Sequence, residues 1–130
     1  MTRKRRYLLL FLFIMGIEYL HICGGYAAVW AGFNGFGVIP MEYSEIGQRM
    51  VMVIFIFPAL FLFLLLAWMI IKNGKQKAAV KYYVFDVCTW LLGIGAGIFL
   101  FYMFEEPRIM IMDSMTRFIK AAGWLEYPVP

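Results

Sequence analysis

The chain has 130 residues, 64% hydrophobic and 15% charged, with a net charge of +4 and a mean hydropathy of +0.79. A soluble domain is nearer half apolar and about a quarter charged, so one small core cannot hide this much apolar surface and the bilayer is its natural solvent. The length allows one compact unit, a single membrane domain over 1–130, and the charge is dispersed between apolar runs, which excludes a nucleic-acid patch.

Arg3, Lys4, Arg5 and Arg6 form a basic flank ahead of the first apolar run, Leu8 to about Trp30. This arrangement resembles a signal peptide, but the run is longer than a usual signal core. Val29-Trp30-Ala31 is only a fair cleavage site, and Leu20-His21-Ile22-Cys23 lacks the small residue that should precede a lipidated cysteine. The segment is therefore read as an uncleaved anchor and the first of three spans. The second is about Met50 to Ile71 and the third about Tyr83 to Phe104. About 20 apolar residues at helical rise match a hydrocarbon core of about 30 Å. In lipid, backbone groups find partners only within their own helix, which makes each span helical. Pro58 in the second span leaves the Ile54 carbonyl without its donor and predicts a kink.

Between the first two spans, Gly32, Gly35, Gly37 and Pro40 are turn residues, and Ser44 before Glu45 reads as the cap of the second helix. Asn73-Gly74 reads as its stop. Beyond the third span, Glu105-Glu106-Pro107 reads as a helix end. Then Ile111, Met115, Phe118, Ile119 and Ala122 recur at helical spacing, with Asp113, Thr116, Arg117 and Lys120 on the other face. This predicts a short amphipathic helix over about 108–123, on the outer membrane surface or against a partner, with Trp124 and Tyr127 at headgroup depth. No segment reads as a strand. The expected fold is an all-α membrane protein of three transmembrane helices and one surface helix.

Lys and Arg set the orientation. With the N-terminus inside, the inner segments carry eight basic residues, and the outer ones carry four basic and six acidic residues. The positive-inside rule gives a cytoplasmic N-terminus and a periplasmic or extracellular C-terminus. Basic flanks and short loops suit a bacterial inner membrane.

Few residues could carry chemistry. Glu18 and His21 lie near mid-membrane, three residues apart on one helix face. An ionisable residue at that depth costs about 3 kcal/mol and needs a partner or a purpose. The pair reads first as interface glue, second as an ion or proton site, third as cofactor ligation. Asp86 sits one turn into the third span at the cytoplasmic edge, within snorkelling reach of Lys77 or Lys81. Gly93 and Gly97 form a GxxxG face, and Gly16 and Gly24 a looser one.

Cys23 and Cys88 fall about 6 Å and 8 Å to opposite sides of mid-membrane, too far apart for a disulfide. No cofactor is predicted. Haem would need a second ligand from a partner chain. Copper would have to draw on scattered sulfur and nitrogen ligands, Met110, Met112 and Met115 or His21 and Cys23. No zinc, hydrolase or phosphate-loop motif is present.

The expected function is a small non-catalytic accessory subunit of a larger inner-membrane complex. Its partners would be the lipid bilayer and other integral membrane subunits. One alternative is a homo-oligomeric ion or proton pathway, a small channel or holin, using Glu18 and His21. Another is a membrane-embedded immunity or regulatory protein that binds its target within the bilayer.

Overall fold

The computed structural model of the chain describes residues 2–34 and 42–126. Among these residues the regular structure is helical apart from one ladder of two two-residue strands. The helices are α1 (Arg3–Asn34), α2 (Glu45–Lys75), α3 (Val80–Met103) and α4 (Glu105–Ala121). The first three are long and apolar enough to cross a membrane. Helices α1 and α2 exceed the expected spans at both ends, because polar flanks wind on beyond the apolar stretch. At about 1.5 Å per residue, the 32 residues of α1 reach about 48 Å, well past a hydrocarbon core of about 30 Å. Gly35, Gly37, Pro40 and Tyr127 lie outside the described residues.

Neighbouring residues give the directions. Tyr7 meets Asp86, Gly93 abuts Ile14, Gly97 abuts Met15 and Glu18, and Tyr26 meets Tyr102, so α1 and α3 run parallel. Phe61 packs on Phe13 and Ile54 on Gly24, so α2 runs antiparallel to α1. The start of α1, the end of α2 and the start of α3 thus share one end of the bundle, which gathers all eight basic residues of the inner flanks. Cations there lie over aromatic faces: Arg3 sits 3.7 Å from the Tyr82 ring centroid and Lys72 4.9 Å from that of Trp68.

Ser44 caps α2, its Oγ accepting from the Gly47 N–H at 3.1 Å. The other end departs from the sequence expectation. Asn73 and Gly74 do not stop α2, which runs on to Lys75. The Lys77 N–H bonds the Gly74 carbonyl at 3.1 Å and the Ala78 N–H bonds that of Asn73 at 3.0 Å. This is a Schellman closure with Lys77, at φ 50°, in the left-handed position that glycine usually fills. Asn73 stays helical because its side chain has a buried use, described below.

Helix α3 ends at Met103, and Phe104, in extended backbone (φ −114°, ψ 104°), is the hinge into α4. Pro107 does not end a helix. It occupies the first turn of α4, where backbone N–H groups have no intrahelical partner to lose. Helix α4 follows α1. Ile111 reaches the level of Tyr19 and Leu20, Met115 that of Gly24, and Ile119 packs on Ala28, with Tyr43, Val51 and Trp124 around them. The chain end is tied down by a ladder of β1 (Glu42–Tyr43) and β2 (Leu125–Glu126), too short for alternation to register in sequence.

Candidate functional site

Among the described residues, two layers of polar groups inside the bundle join its helices. At the basic end, Asp86 is 2% exposed and Asn73 1% exposed. Asp86 Oδ1 accepts from the Tyr7 hydroxyl at 2.9 Å, and its Oδ2 accepts from Asn73 Nδ2 at 2.5 Å. Asn73 Nδ2 also lies 3.4 Å from the Tyr7 hydroxyl oxygen, and the Tyr7 hydroxyl 3.4 Å from the Tyr82 carbonyl. One residue from each of α1, α2 and α3 therefore meets at this carboxylate. Asp86 is held by neutral donors rather than by Lys77 or Lys81. A lysine would have to bring its charge into the packed interior, whereas a phenol and an amide enter at lower desolvation cost. Tyr7 and Asn73 were not singled out from sequence: a tyrosine at a span edge looks like an interfacial anchor, and Asn-Gly looks like a turn.

The second layer holds Glu18 and His21. Their side chains are mostly buried, and His21 Nδ1 lies 3.6 Å from Glu18 Oε2. The other ring nitrogen, Nε2, is 2.9 Å from the Phe55 carbonyl. A carbonyl can only accept, so Nε2 carries a hydrogen. Nδ1, buried and without a hydrogen bond, faces the carboxyl. The bond to Phe55 crosses from α1 to α2 one residue past Ile54, whose carbonyl Pro58 leaves without a backbone donor. His21 and Pro58 line an apolar groove of about 700 Å³ between α1, α2 and α4.

The glycines divide. A Cβ at Gly93 would lie 2.7 Å from Ile14 Cγ2, and one at Gly97 2.7 Å from the Met15 carbonyl oxygen. Both glycines therefore let α3 approach α1 of the same chain. Gly24 lies against Ile54 of α2, at 3.1 Å from a built Cβ, whereas Gly16 has nothing within 4 Å.

On α4, Ile119 is buried, and Ile111 and Met115 are half-buried. Phe118, expected with them, is 63% exposed and meets Trp124 edge-on at 5.6 Å. Ala122 is also exposed. Thr116, expected on the polar face, is 6% exposed. Its hydroxyl donates to the Met112 carbonyl at 2.8 Å, so the helix itself satisfies the buried oxygen. The buried stripe is turned from Phe118 toward Thr116.

At the far end, the half-buried Tyr43 hydroxyl donates to the Ala28 carbonyl. Burial pushes its phenol above the ordinary value of 10. Cys23 is buried and Cys88 exposed. Met110 is exposed, while Met115 shares the groove with His21. Among the described residues no three His, Cys, Asp or Glu side chains come together as a metal site.

The bonds of Tyr7, Asn73 and His21 join one helix to another, whereas Glu18 and Thr116 pair within their own helices. Comparison with protein-family models, with curated proteins and with solved structures finds no match for this chain.

Proposed function

We propose that the chain is a non-catalytic accessory subunit of a larger bacterial inner-membrane complex. Its N-terminus is cytoplasmic, its C-terminus periplasmic or extracellular, and α4 lies on the outer side. The gathering of eight basic residues at one end of the bundle supports that orientation. The observation that carries the functional reading is the His21 bond to the Phe55 carbonyl. It uses His21 of the mid-membrane polar pair to fasten α1 to α2, beside a groove walled mostly by apolar side chains.

That groove, walled by Leu20, Phe57 and Phe61 among others, is where a partner's transmembrane helix would pack. Helices associate in lipid through shape and small residues rather than through hydrophobicity. A photo-crosslinker at Phe57, used in native membranes, tests this. We expect one discrete adduct with a different membrane chain. Adducts with lipid or with a second copy only would contradict the assignment.

A second reading, a self-assembled proton or ion pathway, rests on the buried Nδ1 of His21 facing Glu18. Glu18→Gln separates the two. An accessory subunit keeps its assembly and activity, because an amide still hydrogen-bonds. A proton pathway stops conducting while its assembly survives.

A further inference from the structure

We propose that the cleft between α1, α3 and α4, at the end of the bundle opposite the basic cluster, binds a phospholipid with an ethanolamine headgroup. Its phosphate would sit on Arg108 and its ammonium toward Asp113. The cleft holds about 840 Å³ and is lined by both of these residues, within the range of small-molecule sites with apolar walls and a few polar groups.

Arg108 is fixed for such a role. Its Nη1 donates to the Phe101 carbonyl at 3.2 Å, and its guanidinium lies 5.4 Å from the Phe101 ring centroid. One of its five N–H donors is used in that bond, which leaves a planar fork for phosphate oxygens. Asp113 is paired with Arg117 at 2.9 Å, both side chains more than half exposed. An exposed pair of this kind is weak and exchanges readily with another cation.

Zwitterionic chemistry is favoured over anionic by the charge count. Glu105, Glu106 and Asp113 balance Arg108, Arg117 and Lys120 on this helix. A net negative headgroup therefore meets no net positive field, whereas a headgroup of both signs meets a guanidinium and a carboxylate on the same cleft, and a primary ammonium, unlike a quaternary one, has N–H groups to donate to that carboxylate.

The surface beside the cleft fits a lipid. Tyr26 and Tyr102, hydrogen-bonded at 2.8 Å, line it. From Tyr102 the exposed side chains of Phe99 and Leu92 continue down one face of α3. Gly95 on that face has nothing within 4 Å of a built Cβ. The stripe from Leu92 to Tyr102 spans about 15 Å at helical rise, one leaflet of a core of about 30 Å. That is a track for an acyl chain hanging from the cleft.

Native mass spectrometry of the full chain tests this, after equilibration with vesicles containing equal parts of ethanolamine, glycerol and choline phospholipids. The wild-type protein is expected to retain an ethanolamine lipid at least fivefold over the other two. Arg108→Gln should cut retention of every phospholipid at least tenfold. Asp113→Asn should keep an adduct but lose the headgroup preference. Asp113 is exposed and its change leaves the packing intact, so that variant decides the matter even where Arg108→Gln loosens α4. Equal retention of the three lipids, a preference for the glycerol lipid, unchanged behaviour in both variants, or a protein chain seated in the cleft would each overturn the proposal.

Discussion

Asp86 shows most clearly what a single residue does here. Its carboxylate takes one bond from Tyr7 and one from Asn73, so removing it leaves both donors only their longer contacts with each other and with the Tyr82 carbonyl. Asp86→Ala should therefore cost about 1–3 kcal/mol of bundle stability. Asp86→Asn, which keeps an acceptor, should cost about 1 kcal/mol. Denaturant titration in detergent checks both, and equal losses would argue against the bonding described. Tyr43 gives a pH signature. Its folded phenol titrates above the ordinary value of 10 because burial disfavours the charged form. The unfolded chain then releases that proton first as pH rises. The contribution is whole below about pH 10 and is lost as pH climbs through the raised folded value. Tyr43→Phe should flatten that alkaline decline in a melting series. At this scale the sequence was partly legible. The cost of Glu18 and His21 in lipid marks them without a structure. Asp86 was visible too, but its partners lie 79 and 13 residues away, and nothing local points to a tyrosine or an Asn-Gly pair as its donors.

Among the elements, the α1–α3 seam depends on backbone approach. A methyl at Gly97 would meet the Met15 carbonyl at 2.7 Å, whereas one at Gly95 meets nothing within 4 Å. Gly97→Ala should cost about 1–3 kcal/mol through overpacking. Gly95→Ala should be neutral or slightly stabilising, since it removes glycine's backbone entropy from a helix. The same denaturation assay reads both, and matching effects would contradict the seam. Lys77 offers the opposite case. Its left-handed backbone is strained for a side chain, so Lys77→Gly should stabilise the α2–α3 turn by about 1 kcal/mol. The three apolar helices were legible because hydropathy is written residue by residue. Two of their ends were legible as well: Ser44 caps α2, and Phe104, the expected end of the third span, is the C-cap of α3. The α2 stop was not, because it depends on a Schellman closure and a buried Asn73, and Pro107 opens α4 rather than closing a helix. Polarity alone marks a face of α4 rotated from the buried one, because Thr116 satisfies its hydroxyl on its own helix and Phe118 stays uncovered.

For the whole molecule, two polar layers close the bundle on itself while most of its apolar side chains face outward. A protein built this way has an inside that is hydrogen-bonded helix to helix and an outside made for lipid or for other membrane chains. The proposed accessory-subunit reading rests on the first property, since His21 bonds the Phe55 carbonyl of a neighbouring helix. The groove beside His21 is where the second property would be put to use. The most direct test is the mass of the assembly extracted from native membranes in mild detergent, with every co-purifying chain identified. The expected result is a complex well above the 15.2 kDa of one chain, containing different membrane proteins in fixed ratio and still assembling with Glu18→Gln. A homo-oligomer of fixed size, conducting ions in vesicles and silenced by Glu18→Gln, would contradict it and move Glu18 and His21 from fastening helices to carrying protons.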